Sequence, residues 1–258
     1  MDATQTMPTL FLCHSSPMLI NNAEMGKEFR ACADQIPTPR AILIFSAHWE
    51  TDRLSFGETV THDNLVYDFY GFPDDLYQTQ YPAPGAPWLA QRVNQLYPDL
   101  KIETKDRGLD HGVWVPLLHM WPEANIPILQ MTMPQNMSDQ ELYQLGVSLR
   151  PIRDEGVLII GGGAITHNLR EIMRGNHQSV PDWVSDFEEW VVNASRNNRA
   201  NLVNWESDAP FARMNHPTPE HFRPLLVAAG AAHDDDSATI PIQGYEMGLF
   251  SRRSIQFG

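Results

Sequence analysis

The chain has 258 residues, 18 Lys and Arg against 32 Asp and Glu, a formal net charge of -14, and an apolar content of 42%. That acidity excludes a nucleic-acid footprint, which needs a basic face, and no apolar run reaches the roughly eighteen residues of a membrane span. The N-terminus lacks the basic region of a signal peptide, and Cys13 and Cys32 form no C-x-x-C pair, so a single domain over 1–258 in the reducing cytoplasm is expected.

In chain order, the apolar run "TLFLC" (9–13) predicts a buried strand that stops at His14, Ser15 and Ser16. A helix over 24–36 leads to a second strand, "AILIFSA" (41–47), which stops at His48, and then to a shorter strand in "RLSFGE". The stretch 60–87 is rich in aromatics, Pro and Gly without a period, which predicts a packed loop beside a pocket. Pro87 opens a helix over 86–97, "KIETK" forms a short strand, and His111 precedes a helix over 112–120. The run "IPILQMTM" (126–133) is a third buried strand. Ser138 and Glu141 make a capping box for a helix over 138–154. The fourth buried strand, "GVLIIGG" (156–162), runs into three glycines and, beyond them, His167 near the start of a short helix. Helices over 181–198 and 218–231 follow, with Pro181 and Pro219 as openers, and "RRSIQF" closes the chain as a shorter or edge strand.

Alternation of strand and helix, with strands apolar on both faces, predicts an α/β fold: a three-layer αβα sandwich with a central, mostly parallel or mixed sheet. Ligands bind beyond the carboxyl ends of such strands, where His14, His48 and His167 fall. His111 sits at a loop-to-helix junction, and His216 and His221 flank the start of the 218–231 helix. Several imidazoles on one sheet edge are what a mononuclear metal site requires. His62, His177 and His233 lie in polar loops and are read as solvated, and His119 as a core residue. Gly161, Gly162 and Gly163 lack the G-x-G-x-x-G spacing of a dinucleotide loop and are read as allowing close backbone approach where His167 is delivered. Ser15 and Ser16 lie in no G-x-S-x-G elbow, which argues against a serine hydrolase.

The segments "FLCHSSPM", "ILIFSAHW", "YDFYGFPDDLYQTQYPAPG", "LDHGVWVPL", "GGGAITHNLR", "HPTPEHFRPLLVAAGAA" and "GYEMGLFSRRSIQFG" resemble the class III extradiol ring-cleavage dioxygenases, in the DOPA 4,5-dioxygenase branch. The resemblance runs in order over nearly the whole chain. It implies that His14, His48 and His221 hold one metal ion, that His167 lies at or beside that ion, and that His111 faces the reacting groups. Where the family more often has glycine on each side of the first histidine, this chain has Cys13 and Ser15, and family members differ at His216.

The implied reaction opens a catechol, such as a DOPA-like one, with dioxygen to a muconic semialdehyde. It needs metal positions free for both reactants, so only three protein ligands are permanent, and His167 is expected to lie within bonding distance of the metal at rest and to act as acid and base when substrate is bound. Fe(II) is the expected catalytic cofactor, and Zn(II) can fill the same site. Tyr67, Phe69, Tyr70, Phe72 and Tyr81 are candidates to stack on the ring. Rival readings are a zinc hydrolase with Glu220 as its carboxylate base and a non-catalytic binding protein of the same fold. The oligomeric state is open at this level.

Overall fold

A computed structural model describes residues 5–100, 102–175 and 179–258. Its strands are β1 (Thr9–Cys13), β2 (Ala41–Thr51), β3 (Ser55–Phe56), β4 (Glu103–Thr104), β5 (Ile128–Pro134), β6 (Val157–Gly163), β7 (Ala238–Ile242), β8 (Tyr245–Glu246), β9 (Phe250–Ser251) and β10 (Ser254–Phe257). Its helices are α1 (Ala23–Asp34), α2 (Pro87–Leu96), α3 (His111–Met120), α4 (Asp139–Arg153), α5 (Leu169–Arg174), α6 (Asp182–Asn197), α7 (Trp205–Asp208), α8 (Ala212–Asn215) and α9 (Arg223–Ala231).

Eight strands form one mixed sheet in the order β4-β3-β5-β2-β6-β1-β10-β7, and β8 pairs with β9 in a separate hairpin. The middle is parallel (β5-β2-β6-β1), whereas β10 and β7 pair antiparallel at one margin and β3 runs antiparallel to β5 at the other. The sequence explains this centre. Leu10, Leu12, Ile42, Ile44, Leu158 and Ile160 face one core with α1 and α3, and Phe11, Leu43, Phe45, Val157 and Ile159 face the other with α4 and α9. Alternate residues are apolar on both faces because both faces are covered, and each such side chain contributes about 1.5–3 kcal/mol by leaving water. The Ser138–Glu141 capping box forms as expected.

Three local expectations are corrected. His48 does not follow β2 but lies inside it, where the β2–β5 register slips between Phe45 and Glu50. Such an irregularity re-aims side chains without ending the strand. The last long helix starts at Arg223 with Pro224 in its first turn, so His221 sits in the turn that Pro219 begins. Finally, His62 is buried, its Nε2 3.1 Å from the carbonyl of Ile128, because the aromatic loop folds back on β5. His177 lies outside the described residues. No described helix is long and apolar enough to cross a membrane.

Candidate active site

Four polypeptide segments meet beyond the parallel strands. His14 follows β1 directly, and its backbone N–H donates to the carbonyl of Gly163 at the end of β6. His48 comes from the irregular part of β2. His221 is brought in by the backbone: a Cβ on Gly163 would stand 2.2 Å from the His221 carbonyl, and one on Gly161 would stand 2.1 Å from that of Pro224. The glycines therefore deliver His221 and the start of α9 rather than His167, a correction to the sequence reading. His167 arrives later, its N–H donating to the carbonyl of Asn215.

One ring nitrogen from each of His14, His48 and His221 lies within 4.8 Å of the others. Their outer nitrogens are spoken for. His14 Nδ1 donates to the carbonyl of Ser15 at 2.8 Å, and His221 Nδ1 donates to Glu220 Oε1 at 3.0 Å. Each ring then carries its lone pair on Nε2. His14 and His48 bring these nitrogens to 3.2 Å from each other, and His221 Nε2 is buried without a hydrogen-bond partner among the described residues. Protons do not relieve this crowding readily. Burial first, and then the neighbouring imidazoles, hold His14 and His221 well below the usual histidine range and take His48 down to about 3. A buried set of converging neutral imidazole lone pairs fits a divalent transition-metal ion.

His111 opens α3, where its Nδ1 donates to Asp68 Oδ1 at 2.8 Å. Asp68 Oδ2 stands 3.5 Å from His48 Nδ1. Burial raises the Asp68 carboxyl, but the hydrogen bond and charge of His111, with His48, more than offset this and draw it to about 2. Gly112 makes room for His48, since a Cβ there would meet its Cδ2 at 2.8 Å. His167 groups with Glu220 and His221 rather than with His14 and His48, and its ring stacks on His221 at 3.4 Å and 12°. Burial and then the charges of His48 and His111 lower it to about 4.

His216 is fully buried among Phe187, Trp205 and Phe222, with its Nε2 2.6 Å from the carbonyl of Ile165, a structural position away from the cluster. The thiol of Cys13 donates to the carbonyl of Ser251 at 3.0 Å, and burial pushes it up to about 12. Ser15 adopts φ 58, a left-handed conformation that glycine takes more readily than a residue with a side chain.

A cleft of about 320 Å³ opens on the cluster, walled by Phe69, Tyr70, Phe72, Ile172, Met247 and Phe250. The other two candidates for ring stacking do not line it. Tyr67 and Tyr81 turn inward, their hydroxyls donating to the carbonyls of Thr79 and Trp121. Asp68 escaped the sequence reading because the loop has no period to mark one residue from the next. Its only signal was a lone acid among aromatics in "YDFYGF".

Residues 9–257 match the profile of the catalytic LigB subunit of aromatic ring-opening dioxygenase. The 4,5-DOPA dioxygenase extradiol of Beta vulgaris is 40% identical over 258 residues, covering 96% of each chain. That of Escherichia coli (strain K12) is 35% identical over 267 residues, covering 98% of this chain and 95% of that one. The crystal structure of an uncharacterized protein from Escherichia coli K12 superposes with a TM-score of 0.83 at 32% identity, covering 98% of this chain and 100% of that one. With its histidine cluster at the mouth of an apolar cleft, the chain belongs to the LigB family of aromatic ring-opening extradiol dioxygenases.

Proposed function

We propose that the protein uses iron(II) and dioxygen to open the ring of a DOPA-like catechol to a muconic semialdehyde, working in the cytoplasm as a single domain. The observation that carries this reading is the convergence of three imidazoles whose outer nitrogens are already bonded or faced by a carboxylate, beside a cleft walled by aromatic rings. His14, His48 and His221 would hold the ion. When bound, iron(II) would link catecholate and dioxygen by a change of redox state that zinc cannot undergo, although zinc can fill the same imidazole set.

The chain's own groups do the rest. Phe69, Phe72 and Phe250 stack on the ring and keep water out. His167 is neutral at pH 7 and accepts a catechol proton, to return it later. His111, whose Nδ1–H is held by Asp68, presents the lone pair of Nε2 and steers the oxygen side of the reaction. Glu220 accepts from His221 Nδ1, an orienting task that counts against its serving as the base of a zinc hydrolase. The test is anaerobic loading with iron(II), then DOPA and other catechols followed by oxygen electrode and absorbance. One dioxygen consumed per yellow ring-opened product is expected. Ester or amide hydrolysis by the zinc form, with no oxygen uptake by the iron form, would establish the hydrolase instead.

A further inference from the structure

We propose that Glu246 sets the charge of the substrate's side arm, so that the cleft takes catechols with an ammonium-ended arm and discriminates against arms ending in a carboxylate. The inference rests on the ring-cleavage reading and names the substrate class within it. Among the described residues lining the cleft there is no Lys or Arg, and the acids are Asp68 and Glu246. Asp68 is occupied by His111 and His48. Glu246 meets hydroxyl groups rather than imidazoles: one of its oxygens accepts from Ser16 Oγ at 3.3 Å, Ser15 also stands against the carboxylate, and the other oxygen is buried with no hydrogen-bond partner among the described residues. A half-buried carboxylate with an unpaired oxygen, on the wall of an otherwise apolar cleft, gains most from a cationic donor and repels an anion.

The carboxylate is also held in place. Glu246 ends β8, and the following turn runs through Met247 at φ 51 and Gly248 at φ 72 before β9 returns. The hairpin is anchored from behind, because Tyr245 and Ser251 both donate to Glu188, a buried residue of α6. Arg252, the guanidinium whose charge reaches Glu246, does not line the cleft and pairs with Glu28 at 2.6 Å. The exposed arginines Arg170, Arg174 and Arg213 line a different groove, which shares only His167 and Leu169 with the cleft, and Arg174 and Arg213 pair with Glu171 and Glu206. Among the described residues a carboxylate-ended arm therefore finds no cation on the cleft wall, whereas an ammonium finds a fixed acceptor.

The experiment uses iron-loaded enzyme and catechols of one ring pattern whose arms are neutral (4-methyl), cationic (2-aminoethyl), zwitterionic (the amino acid) and anionic (propionate). Values of kcat/KM are set beside dissociation constants measured on the redox-inert zinc form. The expected order is cationic, then zwitterionic, then anionic. In Glu246→Gln the ratio of cationic to neutral kcat/KM should fall by roughly tenfold or more, the usual scale for losing a charged hydrogen-bond partner. Cleavage of all four with no dependence on arm charge, or with the anion preferred, overturns the inference and leaves the ring-cleavage reading standing. Failure of all four to bind and to react overturns both.

Discussion

Asp68 and His111 meet twice: the Oδ1 atom accepts from the ring Nδ1–H at 2.8 Å and from the backbone N–H at 3.1 Å. The second oxygen of the same carboxylate faces His48 Nδ1 at 3.5 Å. One loop residue thereby sets the tautomer of an imidazole on α3 and faces the outer nitrogen of another on β2. Groups of this kind raise the basicity of the rings they hold and fix which nitrogen faces the reactants.

Asp68→Asn should lower turnover by roughly 10–100-fold, the scale typical of losing an orienting partner. The amide keeps the shape but gives up the charge that stabilises a protonated His111. Oxygen uptake and metal content measured on the same preparation check this. A fall in turnover with the metal retained is expected, and unchanged kinetics would remove Asp68 from the catalytic apparatus.

His14→Ala, His48→Ala and His221→Ala should each leave the purified protein with little bound metal, because each removes one of three converging nitrogens. Elemental analysis after loading with zinc gives a readout independent of activity. Full occupancy in any of these variants would take that residue out of the ligand set. His216→Asn should keep its metal, since His216 is engaged with the carbonyl of Ile165.

The central sheet was legible because β1, β2 and β6 are buried on both faces, which leaves unbroken apolar runs that only a covered sheet explains. His14, His111 and His167 were legible as polar residues at the ends of such runs or at helix starts. His48 was found for a partly mistaken reason, since β2 continues past it and only the register shows the irregularity. Whether Pro219 or Pro224 opens α9 could not be told from spacing, as both can begin a helix. Asp68 and Glu246 lay in segments whose side-chain directions come from tertiary packing, so no periodicity could single them out.

Ser15→Gly should stabilise the metal-free protein by about 1 kcal/mol. A side chain in the left-handed region costs about 1–2 kcal/mol, and the added freedom of glycine in the unfolded chain returns only part of that gain. For a chain of this size the unfolding temperature should rise by about 2–4 °C. Thermal unfolding with chelator present measures it, and a lower midpoint would mean that the serine hydroxyl supports the loop.

Acidification should destabilise the metal-free protein, beginning near pH 6.5. Burial lowers His216 to about 3 and His48 to about 3, and His167 falls to about 4 from burial with its charged neighbours. Between those values and the unfolded value of about 6.5, the unfolded chain binds more protons than the folded one. Stability is therefore fully present above about pH 6.5 and is lost as the pH falls toward 3, by at most about 1.4 kcal/mol per pH unit for each such histidine. Urea midpoints at pH 7.5, 6.5, 5.5 and 4.5 with chelator should fall steadily, and a flat series would contradict neutral burial of these rings.

His167 stands against His221, ring on ring at 3.4 Å, and its Nδ1 lies 3.9 Å from Glu220 Oε1. It is grouped with those two residues and not with the nitrogens of His14 and His48. A permanent fourth imidazole would take a position that catecholate and dioxygen need, whereas a neutral ring beside the site can take a proton and return it. His167→Ala should therefore lower turnover by about 10²-fold or more while the metal stays bound. His167→Gln should behave alike, because an amide fills the place but cannot carry a proton at neutral pH. The pair separates proton transfer from packing: recovery in the glutamine variant alone would mean that His167 acts by shape. Loss of metal from both would make it a ligand, and normal turnover in both would exclude it from the reaction.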